Sequence, residues 1–134
     1  MKLKLTKEDR QRIESVKAKI DNEYAATFTI RQLVHEFKIN DYKLRHGFIK
    51  MYGLSIPAYQ TKVRLEFATK LLKEDQDMTI SKAAFDVGYN ELSTFYRVFK
   101  KKYDMTPFEW RKRNGAVIAL LILGYTFGIY PYPL

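Results

Sequence analysis

Two arginines beside lysine-bearing stretches have the most specific chemistry in this sequence. Arg97 precedes Lys100-Lys101-Lys102, and Arg45 with His46 precedes Lys50. A guanidinium carries parallel N–H groups that match the O6 and N7 acceptors of guanine, whereas an ammonium meets phosphate as a point charge. The apolar spacing turns Leu44 and Phe48 inward in one helix and Phe95 and Phe99 inward in another. Tyr42, Lys43, Arg45 and His46 are then left outward in the first helix, and Leu92, Ser93, Tyr96 and Arg97 in the second. Side chains near the N-terminus of a recognition helix that face away from the core are the ones that reach base edges. Tyr42 and Leu92 suit thymine methyls. Lys50, Lys100, Lys101 and Lys102 come later in their helices and suit phosphates, which position a protein without specifying sequence.

Catalysis has no comparable footing. There is no cysteine, His35 and His46 stand alone, and no glycine-rich phosphate loop follows a strand. The carboxylates are scattered among lysines, as on solvated helix faces. No catalytic residue, metal or cofactor is expected.

Short helices must position these side chains. Ile80, Ala83, Ala84 and Val87 fall at i, i+3, i+4 and i+7, giving one apolar face. Gly88 follows, where the chain must turn sharply and a positive φ costs least in glycine. Phe95, Val98 and Phe99 then pack inward from a basic helix. Helix, glycine turn and basic helix is the order of a helix-turn-helix DNA reader. The residues also resemble the second helix-turn-helix of the bacterial AraC/XylS family of transcription regulators. Val87-Gly88-Tyr89, Phe95-Tyr-Arg97-Val-Phe99-Lys-Lys101 and Thr106-Pro-Phe-Glu-Trp110 carry that likeness.

The design repeats upstream. Ile30, Leu33, Val34 and Phe37 match Ile80, Ala83, Ala84 and Val87 in spacing, Leu44 and Phe48 match Phe95 and Phe99, and Ser55-Ile-Pro-Ala-Tyr59 answers Thr106 to Trp110. The resemblance thus covers roughly residues 29–113. The first copy departs from the family pattern in Lys38, where the turn glycine is usual, in Ile56, where proline is usual, and in His46, which replaces an arginine.

The chain has 134 residues, a formal charge of +9 and a hydrophobic content of 46%. That length holds a modest core, and that charge favours nucleic acid or an anionic membrane surface. The lack of cysteine suits a reducing compartment, and the opening Met1-Lys-Leu-Lys-Leu-Thr-Lys-Glu-Asp9 is no signal peptide. Cytoplasmic, nucleoid-associated localisation is expected.

Thr6 to Asp9 and Thr29 to Gln32 read as capping boxes, the first opening an amphipathic helix over residues 7–24. Asn40 should cap the first recognition helix and Gly53 should end it. In the joining helix Tyr59, Val63, Leu65, Phe67, Ala68, Leu71 and Leu72 spread over a wide arc, so burial on two sides is expected. Arg64 falls within that arc, and an ion pair with Asp86 or Glu36 is its expected role. From Asn114 onward no residue is charged. Three readings of this tail stay open: an extension foreign to the domain, packing onto the domain or a partner, and a membrane anchor.

The expected fold is all-α, with two homeodomain-like three-helix units joined by a central linker helix. The expected divisions are an N-terminal helix (1–27), a first helix-turn-helix (28–56), the linker helix (57–75), a second helix-turn-helix (76–113) and the apolar tail (114–134). The resemblance implies a sequence-specific DNA-binding regulator, an activator working through RNA polymerase, reading two successive major grooves of double-stranded DNA as a monomer. It stands alone or is the DNA-binding part of a longer protein with an effector domain. The rival reading is a membrane-tethered or partner-binding helical protein that uses the tail and the basic helices.

Overall fold

A computed structural model describes residues 2–126, with side chains through Gly115 and at Leu123 and Gly124. The described residues form helices α1 (Lys7–Asn22), α2 (Ile30–Phe37), α3 (Asp41–Tyr52), α4 (Ile56–Glu74), α5 (Ile80–Asp86), α6 (Leu92–Tyr103) and α7 (Pro107–Thr126), and no strand. They fall into two compact units, one ending at Glu66 and the other beginning at Phe67, so α4 contributes to both.

The first unit is built on its caps. Thr6 accepts from the Asp9 backbone N–H at 3.0 Å and returns its own N–H to the Asp9 carboxylate at 2.9 Å. Thr29 and Gln32 repeat the exchange at 3.1 and 2.9 Å. Each box satisfies two backbone donors that a helix start leaves without partners. Ile13, Val16 and Ile20 of α1 then pack with Leu33, Ile39, Leu44 and Phe48, all buried. Gly47 on α3 lies so close to α1 that an added Cβ would stand 2.5 Å from the Cδ1 of Ile13.

Helix α1 ends two residues before the expected position. Past Asn22 the carbonyls of Tyr24, Ala25 and Ala26 turn to the Arg64 guanidinium, at 2.7, 3.4 and 3.0 Å. Arg64 is therefore structural, as expected, but through three backbone carbonyls. The expected acidic partners are engaged elsewhere, Glu36 by Lys19 and Asp86 by Lys82. Lys38 ends α2 in the left-handed region at φ 52°, where glycine is the cheaper residue.

Asp9 is the buried acid of this unit, and its environment makes a testable claim. The Thr6 backbone N–H and the Lys43 ammonium hold its carboxyl down from 3.8 to about 2, against the opposing effect of burial. A pKa lowered by folding stabilises the protein above the unfolded value, and the gain disappears as pH falls through the folded value. The Asp9 contribution is therefore whole above about pH 4 and gone near about pH 2. Urea midpoints across that window should fall less steeply in Asp9→Asn than in the parent.

The second unit packs Ala68 and Leu72 of α4, Ala83 and Ala84 of α5, Val87, Tyr89 and Phe95 and Phe99 of α6, all buried. Aromatic rings continue the core outward. Phe99 lies 5.6 Å from Phe95, 4.6 Å from Tyr103 and 6.3 Å from Trp110, the last edge-on. Trp110 thereby anchors α7 on α6. Thr106 and Glu109 cap α7 reciprocally at 3.2 and 3.0 Å, and Arg111 donates to the carbonyl of Met78.

Gly88 sits between α5 and α6 at φ 104°, the positive φ that the turn demanded. Gly88→Ala should cost about 1–2 kcal/mol, the penalty a Cβ meets in left-handed backbone. A melting temperature equal to that of the parent would contradict that account.

Helix α7 does not stop where the charges stop. It runs through Gly115 to Thr126. Among the described residues no helix is long and apolar enough to cross a membrane. Leu123 is exposed, while residues 127–134, the remainder of the tail, lie outside the described residues.

Candidate nucleic-acid interface

Each unit presents one outward face on its second helix. In α3 the Asn40 side chain accepts from the Lys43 N–H at 2.7 Å, and Gly53 at φ 78° ends the helix. The inward positions are Leu44, Gly47 and Phe48. The helical period then exposes Tyr42, Arg45, His46 and Ile49, at i, i+3, i+4 and i+7. In α6 Phe95 and Phe99 are inward. Ser93, Arg97, Lys100 and Lys101 are exposed, with Leu92, Tyr96 and Val98 half-buried. The two helices carry their buried aromatic at the same register, Phe48 against Phe99. Their exposed faces therefore correspond residue for residue: Tyr42 to Ser93, Arg45 to Tyr96, His46 to Arg97 and Ile49 to Lys100.

The charged side chains on these faces differ in what they hold. Arg97, Lys100 and Lys101 have no hydrogen-bond or ion-pair partner among the described residues. Lys102 lies over the Tyr103 ring, 5.8 Å from its centroid. The Tyr42 and His46 rings lean together, with centroids 4.3 Å apart. Arg45 gives its Nε to Asp41 at 2.6 Å, with both side chains more than half exposed. Lys50 reaches the Leu3 carbonyl at 3.3 Å and remains exposed.

Lys43 stands apart from the other residues expected to face bases. Its ammonium is committed to Asp9 at 2.9 Å, tying α3 to the start of α1. Periodicity alone places Lys43 one step from Leu44, and nothing local signals an acid 34 positions away. Two residues on or beside the α3 face escaped sequence reading, Asp41 and Ile49. Ile49 follows Arg45 by four and His46 by three, so helical spacing could have found it. The i, i+4 relation could have found Asp41 beside Arg45.

Chemically, the faces offer guanidinium, ammonium, phenol, imidazole and aliphatic groups on exposed helical surface. Groups of these types are able to match donors, acceptors and methyl groups and to neutralise phosphate. No cluster of histidine, aspartate or glutamate among the described residues could hold a metal ion.

Comparisons with known proteins agree with this arrangement. A family model described as a helix-turn-helix domain matches residues 33–113, more than half of the chain. YijO, an HTH-type transcriptional regulator of Escherichia coli, is 30% identical over 100 residues, covering 75% of this chain and 35% of its own. The transcriptional activator RhrA of Rhizobium meliloti is 29% identical over 107 residues, covering 78% of this chain and 34% of its own. The chain thus spans about a third of the length of these curated relatives. The crystal structure of a probable AraC family transcriptional regulator from Rhodopseudomonas palustris superposes with a TM-score of 0.68 at 25% identity, covering 78% of this chain and 97% of that one. Two helix-turn-helix units with outward basic faces, a matching family model and neighbours of the same name converge: the chain belongs to the AraC-type family of helix-turn-helix transcription regulators.

Proposed function

We propose that this chain reads duplex DNA through the exposed faces of α3 and α6 and thereby regulates transcription, as an activator that engages RNA polymerase. The observation that carries this reading is the α6 face, where Arg97, Lys100 and Lys101 stand exposed with no partner among the described residues. A cluster of unpaired cations on one helix repels itself and is relieved by an anion of matching spacing, which the phosphate backbone supplies. Arg97 reads a guanine, with Ser93, Tyr96 and Leu92 completing the second reader. Tyr42, Arg45 and His46 form the first reader, and Lys50, Lys100, Lys101 and Lys102 hold phosphate. Lys43 belongs to the scaffold through Asp9.

The chain binds as a monomer, because its two readers are unlike and call for an asymmetric site. The activator name of RhrA supports activation. Any effector domain lies elsewhere in a longer protein. The helix-turn-helix divisions proposed are residues 28–56 and 76–113, with 57–75 between them.

Duplex titration and selection from random DNA test the reading. Arg97→Ala should cost about 1–3 kcal/mol on the selected site and relax one base pair. Lys101→Ala should weaken all sequences alike and flatten the salt dependence by about one ion. An unaltered motif after Arg97→Ala would remove that residue from the reader. Equal binding to anionic vesicles and duplex would favour the membrane-surface alternative.

A further inference from the structure

The α3 face carries a carboxylate where a DNA reader should avoid one. Asp41 is the first residue of α3, 58% exposed at its side chain, and it stands on the helix turn that approaches the duplex in the reading above. A negative charge there repels phosphate and lowers affinity for every sequence. The structure shows what offsets that cost. The Asp41 Oδ1 accepts from the Nε of Arg45 at 2.6 Å, while Nη1 and Nη2 of Arg45 have no partner among the described residues. A guanidinium has two hydrogen-bonding edges, one formed by Nε with one Nη and one formed by the two Nη atoms. With Nε occupied, the remaining edge is the one that pairs end-on with the O6 and N7 of guanine.

We propose that Asp41 is a specificity-determining positioning residue, acting through Arg45. It holds the guanidinium plane before DNA arrives, so that less side-chain freedom is lost on binding. It also refuses alternatives: a swung-out Arg45 that merely touches phosphate leaves Asp41 unpaired against the polyanion. The device is confined to the first unit. At the corresponding positions α6 has Leu92 and Tyr96, and its own arginine, Arg97, is unpaired. The two readers thus differ in kind: one holds its arginine in advance, and the other leaves it without a partner among the described residues.

This inference rests on the proposed DNA reading, and the test separates the two. The full chain, Asp41→Ala, Arg45→Ala and the double variant are each taken through selection from random duplexes, then titrated on the winning site and on an unrelated duplex. Circular dichroism confirms helicity, which the exposed position of Asp41 should preserve. Asp41→Ala should bind the unrelated duplex more tightly, because a repulsive charge is gone. It should also lose preference for guanine at one position of the first half-site by about tenfold or more, the size of one bidentate contact. Arg45→Ala should lose preference at that same position, and the double variant should be no less selective than Arg45→Ala alone. A motif unchanged in Asp41→Ala, with affinity raised equally on all duplexes, would reduce Asp41 to a repulsive charge and overturn the proposal. Losses at two different positions for Asp41→Ala and Arg45→Ala would overturn it as well. A parent chain that selects no motif would remove the DNA reading and this inference together, whereas a parent motif indifferent to Arg45 removes only the inference.

Discussion

Phe99→Ala should lower the stability of the second unit by about 3–5 kcal/mol, the cost of deleting a buried phenyl ring. Phe99 is fully buried, and three rings converge on it: Phe95, Tyr103 and Trp110. Its removal opens a void bordered by α6 and α7, whose rigid aromatic walls cannot collapse far to fill it. The loss therefore includes both transfer energy and cavity energy. Thermal and urea melts of parent and variant measure it, and the duplex titration should weaken in step, because the Phe95–Phe99 face sets the direction of Arg97. A loss under about 1 kcal/mol would show that the void closes and that Phe99 is not the keystone of this cluster.

Gly47→Val should destabilise the first unit by about 1–3 kcal/mol through overpacking. The substituted Cβ alone would meet Ile13 Cδ1 at 2.5 Å and the Leu5 methyls at 3.2 and 3.3 Å. Ile13 is fully buried, so either its terminal methyl must repack against a filled core or α1 must move away from α3. The Lys43–Asp9 bridge spans those same two helices and should weaken with them. Melts report the stability. The acid dependence ascribed to Asp9 gives a second readout, since a broken bridge raises that carboxyl toward 3.8. An unperturbed melt would show that the Ile13 and Leu5 side chains give way without cost and that Gly47 is not required for the packing of α1 on α3.

These two residues illustrate what a sequence can and cannot disclose. Phe99 was legible because burial follows from spacing, and the same logic found Phe48, Leu44 and the caps at Thr6, Thr29 and Asn40. Caps are local: donor and acceptor lie within three residues. Gly53 and Gly88 were legible for the same reason, since a turn that needs a positive φ is decided by its own residue. Gly47 was not, because a glycine inside a helix pattern announces only a weak helix former, and its value depends on Ile13 and Leu5 arriving from elsewhere. Lys43 and Arg64 belong to the same class. Each is a long cation whose partner is fixed by tertiary contact, and spacing gave no reason to prefer Asp9 or the carbonyls of Tyr24 to Ala26. The extent of α7 was hidden for another reason. Charge stops at Arg113, but backbone helicity does not depend on charge, and α7 runs on to Thr126.

The Arg64 bridge has a consequence for how this chain can drift under mutation. The turn after α1 is held through main-chain carbonyls, by Arg64 and by Gln60, which reaches Tyr24 and Ala26. Main-chain carbonyls are the same in every amino acid, so the side chains at Ala25 and Ala26 carry little of the turn's specification. The burden is transferred to position 64, where lysine, though equal in charge, has no planar fork to span neighbouring carbonyls. Substitutions should therefore accumulate freely at the turn itself and be purged at a helix residue some forty positions away.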